Sequence, residues 1–280
     1  MDNRKTIEKV LSFLENGKGG FISGGDMAEK LGISRNAVWK AVKELKNKGY
    51  VIESVSNKGY RLSEENDIIS LEGIKACLEK ENPDRAGEII VYDCVDSTSN
   101  IAKELALKGA LMGTCVVAGK QSLGRGRRDH GFFSPEGGIY MSVVLTPPYI
   151  RFSENESIIK YIGVSVCETI KELTGNEALI KGNNDIFIDG KKVCGILIES
   201  GSEFDSGTLQ WLVVGIGINF DPDVSAFPED LKNKATSLFK PGEANISKNL
   251  LIADILEKIC DIANADEKDV FAKFEKLKIK

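Results

Sequence analysis

The hydrophobic pattern changes from helical to extended within the first sixty residues, and this change limits the folds open to the chain. Apolar residues recur at helical spacing in three stretches that each end at a glycine, 6–17, 24–32 and 35–49. Two short strand-like stretches follow, 50–55 and 59–62, and the residues between them favour a turn. We therefore expect residues 1–63 to form a small domain of three helices and a hairpin.

This segment resembles a winged helix-turn-helix domain over its whole length. In such domains the second helix of the pair lies in the DNA major groove, with its N-terminal residues at base edges. The resemblance implies DNA contacts by Ser34, Arg35, Asn36 and Lys40 on this helix and by Lys58 on the hairpin. Arginine suits guanine and asparagine suits adenine, while Ser34 is also predicted to cap the helix. Trp39 we interpret as a packing residue.

The charge distribution agrees with a nucleic-acid partner for the first segment. Residues 1–62 contain 12 Lys or Arg against 7 Asp or Glu, although the whole chain has a net charge of −5. A basic segment attached to an acidic body favours DNA contact at one end and a separate activity at the other. The alternative is an ordinary lysine-rich helix that faces solvent.

A polar linker, 64–70, precedes a second domain that we place at 71–265. Helix-like and strand-like stretches alternate there, and Asp189-Gly190 is a typical hairpin turn. The many hairpins predict an α/β domain of the α+β type with a mixed or mostly antiparallel sheet. The last residues, 266–280, read as a helical tail or the beginning of a further domain.

Several site classes are excluded by composition. His130 is the only histidine, which excludes Ser-His-Asp and Cys-His triads as well as multi-histidine metal sites. The six cysteines are single and widely spaced, so we expect buried free thiols and no resident metal site. The start of the chain has no signal-peptide pattern, and no apolar run reaches the length of a membrane span. We expect a cytoplasmic protein with no membrane partner.

The stretch 124–134, GRGRRDHGFFS, combines pliable glycines with arginines that suit carboxylates and phosphates. A strand-like stretch follows it, and there is no Gly-Lys-Ser/Thr, so it is neither a dinucleotide fingerprint nor a P-loop. A surface loop without function is the alternative. The glycines and the flanking strands favour a loop that closes over an anion.

The chain resembles the biotin–protein ligases in four motifs that occur in the family's order. They are VDSTSNIAKELA at 95–106, KQSLGRGRRDHGFFSPEGGIYMS at 120–142, KGNNDIFIDGKKVCGILIE at 181–199 and VVGIGINF at 213–220. The resemblance implies a catalytic domain of the class II synthetase-like biotin/lipoate ligase fold. Together with the winged helix it points to the bifunctional class, in which one chain is ligase and repressor.

The resemblance implies a reaction in two steps. Biotin and ATP, with Mg²⁺, give biotinyl-5′-AMP, and a lysine of a biotin carboxyl carrier domain then attacks the activated carbonyl. Catalytic roles are implied for Arg127, Lys181, Arg125 and Asp185. Roles in binding biotin or the nucleotide are implied for Ser97, Thr98, Ser99, Gln121, Gly124, Gly126, Phe132, Asn184, Gly195 and Asn219. As corepressor, biotinyl-AMP would drive formation of a homodimer on operator DNA.

The chain departs from the family pattern at several positions. Arginine is usual at His130, tryptophan at Phe132, asparagine at Ser99, and Trp-Pro at Gly182-Asn183. We expect the family's C-terminal SH3-like domain to be absent and nucleotide handling or transfer to be weaker as a result. A biotin-sensing repressor with impaired ligase activity is therefore an alternative, and lipoate attachment is a third.

Overall fold

The computed structural model describes residues 3–78, 87–127, 130–147, 155–202 and 209–279. Contacts divide the chain into two compact units, and each is described by itself. The first unit comprises residues 1–78 and 247–250, and the second comprises 79–246 and 251–280.

The first unit has the element order of a winged helix-turn-helix domain, which confirms the prediction. Its elements are α1 (Asn3–Asn16), α2 (Gly24–Leu31), α3 (Arg35–Asn47), β1 (Ile52–Val55), β2 (Gly59–Leu62) and α4 (Leu71–Cys77). Ser23 caps α2, and Gly32 ends it in the left-handed conformation. Ser34 caps α3 as predicted, because its Oγ accepts a hydrogen bond from Ala37 N at 3.1 Å.

A single apolar cluster holds the three helices and the hairpin together. Val10 and Leu14 of α1 meet Met27, Val38 and Leu45 from the helix–turn–helix pair. The hairpin adds Ile52 and Leu62, which face each other across β1 and β2. The hairpin is held close to the rest because Gly59 has a φ of +100° and a Cβ there would lie 2.0 Å from Ile22 O.

The segment after the hairpin is tied to residues from near the end of the chain. Asp67 accepts hydrogen bonds from the backbone N and the Nζ of Lys248, both at 2.6 Å. Asn249 accepts from Ser70 N and donates to Ile68 O. Ser70 in turn caps α4.

The second unit alternates strands and helices. Its elements are β3 (Ile89–Tyr92), α5 (Thr98–Leu107), β4 (Cys115–Ala118), β5 (Ile139–Leu145), α6 (Asn155–Thr174), β6 (Leu179–Lys181), β7 (Asp185–Ile188), β8 (Lys191–Ser202), β9 (Leu209–Ile218), α7 (Glu229–Lys232), α8 (Lys248–Cys260), whose first residues belong to the first unit, and α9 (Glu267–Leu277).

Seven strands form one mixed sheet, in the order β3-β4-β5-β9-β8-β7-β6. Only β3 and β4 are parallel, and every other neighbouring pair is antiparallel, which confirms the predicted mixed sheet. The Asp189-Gly190 turn has positive φ at both residues, as two-residue hairpins require. The central strands β4 and β5 are buried throughout. Helix α5 packs on β4, β5 and β9 through Ala102 and Ala106.

Within the described part of the chain, every helix is too short or too polar to cross a bilayer.

Candidate functional site

A cavity of about 320 Å³ lies in the second unit, beside the start of α5 and the facing residues of β8 and β9. It brings together eleven of the predicted site residues: Ser97, Thr98, Ser99, Gln121, Arg125, Gly126, Arg127, Phe132, Asn184, Asp185 and Gly195. His130, Lys192, Leu197, Gly215 and Gly217 also line it. The cavity thus joins segments from four separate parts of the sequence.

Hydroxyl and amide groups form a connected cluster at the start of α5. Gln121 Oε1 accepts from Thr98 N at 2.8 Å and from Thr98 Oγ1 at 3.2 Å. Thr98 Oγ1 and Ser99 Oγ lie 2.8 and 3.1 Å from Ser142 Oγ, and Gln121 Nε2 donates to Ser134 Oγ. Because each group is held by another, the cluster presents donors and acceptors in fixed positions.

Ser97 is the N-cap residue of α5, but its side chain makes no capping hydrogen bond. Its side chain is buried and lines the cavity. Serine at this position usually bonds the first-turn backbone N–H groups. The Ser97 hydroxyl therefore does not cap α5, although its position in the sequence suggests a cap.

The Phe132 ring lies on a floor made of two glycines. A Cβ on Gly217 would come within 2.5 Å of this ring, and one on Gly195 within 3.0 Å. Tyr140 meets the same ring edge-on at 6.4 Å between centroids. Only glycine allows an aromatic side chain to lie this close to the sheet, so the two glycines give the cavity an apolar wall.

Three cationic side chains give the cavity its charge. Arg125 and Arg127 come from the arginine loop, and Lys192 comes from β8. Arg125 Nη1 donates to Asn100 Oδ1 of α5 at 3.1 Å, which holds the loop side chain against the helix. Arg128 and Asp129 lie outside the described residues.

The two described sides of the loop, 124–127 and 130–132, are hydrogen-bonded to each other. Gly126 N donates to His130 O at 2.7 Å and Phe132 N to Gly124 O at 2.8 Å. A Cβ on Gly124 would lie 2.3 Å from Phe132 O. The missing side chain at Gly124 thus allows the two sides of the loop to approach each other. Gly124 itself does not line the cavity.

Asn184 and Asp185 supply oxygen atoms to the cavity. Asn184 is 5% exposed, donates from Nδ2 to Ile196 O at 3.0 Å, and has no partner for Oδ1 among the described residues. Asp185 pairs with Lys192 at 2.8 Å. A buried amide oxygen without a partner is costly, which makes Oδ1 a candidate ligand-binding atom.

Sequence reasoning assigned a role to Lys181 and missed Lys192. Lys181 does not line the cavity; its Nζ lies 5.1 Å from the centroid of the Phe187 ring. Lys192 lines it because of a bulge in β8: Phe187 pairs with Lys192 and Ile186 with Cys194, so Val193 has no opposite residue. Strict alternation would separate Lys192 from Gly195, and the bulge returns both to one side.

Asn219 also lies away from the cavity lining. It is buried and donates from Nδ2 to Thr236 O at 2.9 Å, which ties the end of β9 to a following loop. Ser142, which no motif singled out by itself, anchors the hydroxyl cluster from β5. Its position could have been found from the serine that interrupts the apolar strand 139–145.

No thiol in the cavity region is activated. Cys194 of β8 is fully buried, and burial raises its pKa far above its usual value, so it stays protonated at neutral pH. Cys115, Cys167 and Cys194 are buried as expected, Cys77 and Cys260 are partly exposed, and Cys94 is exposed, contrary to the expected burial.

The predicted DNA-contacting residues lie around α3 of the first unit. Asn36 and Lys40 are exposed on the helix. Arg35 points toward Gly25 of α2 and lines a polar cleft with residues 54–60 of the hairpin, Lys58 among them. Trp39 is 50% exposed, so its interpretation as a packing residue was wrong.

Comparison with known protein families gives two matches along the chain. Residues 91–219 match the biotin/lipoate A/B protein ligase family, and residues 6–61 match a helix-turn-helix domain. The first match spans the cavity from Ser97 to Gly217, and the second spans α2, α3 and the hairpin.

Individual relatives extend this similarity over most of the chain. The bifunctional ligase/repressor BirA of Bacillus subtilis is 39% identical over 90% of this chain and 77% of its own length. BirA of Escherichia coli is 27% identical over 90% of this chain and 74% of its own. A biotin protein ligase of Aquifex aeolicus, solved with biotin and ATP, is 29% identical with a TM-score of 0.57, covering 69% of this chain and 78% of its own. The chain therefore belongs to the biotin/lipoate A/B protein ligase family, in the group of bifunctional ligase/repressors.

Proposed function

We propose that this chain is a biotin–protein ligase that also represses transcription in response to biotin. The observation that carries the proposal is the composition of one cavity, which joins a hydroxyl–amide cluster, an aromatic ring on a glycine floor and three cations. The BirA relatives are bifunctional ligase/repressors by name, and the Aquifex ligase holds biotin and ATP.

The neutral part of the cavity suits the bicyclic ring of biotin. The ureido edge of biotin carries two N–H donors and a carbonyl, which require fixed polar partners such as Ser97, Thr98 and Gln121. The sulfur-containing ring is apolar and fits against Phe132 and the glycine floor. Ser99 supports this arrangement through its contact with Ser142.

The cationic part suits the first chemical step. A carboxylate oxygen of biotin attacks the α-phosphorus of ATP, a new O–P bond forms, and pyrophosphate leaves. Two anions must approach each other, so the barrier falls when positive groups are already positioned around them. Arg125, Arg127 and Lys192, which line the cavity, would supply these positive groups, and no protein nucleophile or histidine base is needed.

Mg²⁺ is part of the proposal because the oxygen donors present fit it. Mg²⁺ binds oxygen ligands and is usually held by one or two protein groups together with substrate phosphates. Asn184 Oδ1 and the Asp185 carboxylate would hold the ion. When bound, it would neutralise phosphate charge.

In the second step the amine of an acceptor lysine attacks the activated carbonyl, an amide bond forms, and AMP leaves with the C–O bond electrons. The acceptor is the lysine of a biotin carboxyl carrier domain. The arginine loop with its glycines 124, 126 and 131 would cover the mixed anhydride and exclude water from it.

Three predicted residues act indirectly in this proposal. Gly124 allows the loop to close on itself, and Asn219 fixes the end of β9, which carries Gly217. Lys181 would add positive charge at the end of β6, outside the cavity lining.

Repression follows from the helix-turn-helix domain. Ser34, Arg35, Asn36, Lys40 and Lys58 would contact operator DNA, with biotinyl-AMP promoting the dimer that reads a two-fold site. Since both the operator and the carrier protein are cytoplasmic, we place the protein there. We propose 1–63, 64–70, 71–265 and 266–280 as the functional segments, although α4 at the start of the third belongs to the first compact unit.

Among the alternatives, the names of the BirA relatives do not favour a repressor with impaired ligase activity. Lipoate attachment shares the family model, but the Aquifex structure compared above is a biotin protein ligase by name.

The proposal is tested by single-turnover formation of labelled biotinyl-AMP from biotin, ATP and Mg²⁺ without an acceptor. We expect Arg127→Gly to abolish it and Lys192→Ala to slow it about 100-fold, as for loss of one preorganised charge. Lys191→Ala, an exposed neighbour on the same strand, is the matched control. Biotin binding without adenylate would favour the sensor alternative, and absence of biotin binding would contradict both.

A further inference from the structure

Helix α3 carries two stripes of side chains with the same spacing. Val38, Ala41, Val42 and Leu45 form the buried stripe at i, i+3, i+4 and i+7. Asn36, Trp39, Lys40 and Lys43 repeat this spacing on exposed positions, two residues earlier. A helix that reads the major groove presents four side chains in this pattern to base edges.

Trp39 is the unexplained member of the exposed stripe. It is 50% exposed, although the domain has a complete core that includes the neighbouring Val38. Its described ring contact is with Lys43, whose Nζ lies 5.4 Å from the ring centroid. In the folded domain the large apolar ring of Trp39 therefore faces water, and it does so on α3, the helix proposed to bind DNA.

The charges around the ring favour DNA as its partner. Lys40 and Lys43 flank Trp39 on α3, and Lys46 lies on an exposed position further along the helix. Positive groups around an apolar centre suit a groove whose walls are phosphates and whose floor carries base edges.

Arg35 is turned away from this stripe. A Cβ on Gly25 would lie 3.0 Å from Arg35 Nη2, so the guanidinium lies against the first turn of α2. It lines the cleft between α2 and the hairpin together with Lys58. From this position Arg35 suits a phosphate better than a base, and Asn36 and Trp39 are left at the centre of the exposed face.

We propose that Trp39 reads thymine by packing against its C5-methyl group in the major groove. The inference rests on the DNA-binding part of the proposed function and assigns a base preference to one residue. The thymine methyl is the apolar group that the major groove presents, and apolar side chains recognise it. The charged members of the stripe, Lys40 and Lys43, would contact phosphates on either side of Trp39.

The test uses duplexes that the full chain itself enriches from a random-sequence pool in the presence of biotin, ATP and Mg²⁺. Each thymine in the enriched duplex is replaced in turn by deoxyuridine, which removes only the methyl group. We expect one or two positions at which wild-type affinity falls about three- to five-fold, the effect of one buried methyl.

Trp39→Ala is expected to bind the enriched duplex at least about ten-fold more weakly, as for loss of a stacked or groove-inserted aromatic side chain, and to bind random duplex almost unchanged. The uracil effect should disappear in this variant and persist in Trp39→Phe. Val51→Ala removes another exposed apolar side chain of the same domain and is the control. The melting temperature of each variant shows whether the domain remains folded.

Four outcomes would overturn the inference. If uracil scanning is flat in the wild type, or if its pattern is the same in Trp39→Ala, the methyl is not read by Trp39. If Trp39→Ala binds the enriched duplex normally, the exposed ring serves another partner, such as a protein surface. If the chain enriches no duplex, the DNA-binding part of the proposed function fails as well.

Discussion

Gly195 and Gly217 determine how much space lies between the sheet and the arginine loop. Both lie beneath the Phe132 ring, and neither has the positive φ that would by itself explain a glycine. The requirement is therefore steric: a side chain at either position would push the ring into the volume that a ligand occupies. The ring and the floor form one unit, although they are more than sixty residues apart in sequence.

We expect Gly217→Ala to weaken biotin binding about ten-fold or more, because the new Cβ would lie 2.5 Å from the Phe132 ring and displace it. Isothermal titration with biotin measures the effect. Gly119→Ala is the control, since its nearest contact would be an ordinary 3.5 Å to Asp93 O. Equal affinities for the two variants would show that the ring position does not control the cavity.

The residues that sequence reasoning found and missed differ in what determines their position. Ser34 was identified as a cap because capping depends on residues within one turn of a helix. Lys192 was missed because its direction depends on a bulge, which alternation along β8 does not predict. Trp39 was wrongly predicted to pack in the core. A helical pattern gives the angle between side chains, but it does not show which residues at the edge of an apolar stripe are buried by the rest of the domain.

At the scale of elements, helices and strands follow from local pattern while their order in the sheet does not. The helices α1, α2 and α3, together with the β7–β8 hairpin, agree with the helices and the turn predicted from periodicity and turn residues. Most of the candidate site residues were predicted from the family resemblance of four motifs, not from local pattern. The pairing of β9 with β5 is non-local, and no single segment encodes it.

The packing of α1 near α4 contains an unfavourable carboxylate. Glu15 is 7% exposed and its Oε1 has no partner among the described residues. Burial raises the pKa of Glu15 above 4.5; Lys18 opposes this shift and Glu72 adds to it. The pKa of Glu72 is raised too, chiefly by burial, with Glu8 adding to the shift and Lys75 and Lys48 opposing it. A raised carboxyl pKa means that stability is present below pH 4.5 and is lost as the pH rises through the folded-state value.

Glu15→Gln is therefore expected to increase the free energy of unfolding of the first unit at pH 7, by about 1 kcal/mol. The gain should shrink as the pH falls through the raised folded-state pKa of Glu15, and it should be absent below 4.5, where Glu15 is protonated in both states. Thermal unfolding followed across this pH range measures it. Glu29→Gln, at an exposed position of α2, is the control, and a gain independent of pH would contradict the explanation.

At the scale of the whole molecule, charge is divided unevenly along the chain. The excess of Lys and Arg over Asp and Glu is confined to the first segment, and the rest of the chain is acidic. Long-range attraction to DNA therefore acts on the helix-turn-helix end, while the remainder is repelled.

We expect Lys58→Ala to weaken binding to enriched and random duplexes equally, because phosphate contacts carry no sequence information. The slope of log affinity against log salt concentration should fall by about 0.9, the value for one phosphate contact. Fluorescence anisotropy at several salt concentrations measures both quantities, with Lys9→Ala on α1 as control. A loss restricted to the enriched duplex would place Lys58 at a base instead.

The cavity draws its walls from Thr98, Gln121, Asp185 and Gly217, which lie in segments far apart along the chain. Contacts of such long sequence separation form slowly and depend on closure of the intervening chain. In a nascent or partly unfolded chain these residues are not held together. We therefore expect biotin to bind only after the sheet has formed. Ligand at 100 times its Kd would add about 2.7 kcal/mol to the free energy of unfolding. If the proposed function holds, we therefore expect saturating biotin to slow proteolysis of the chain.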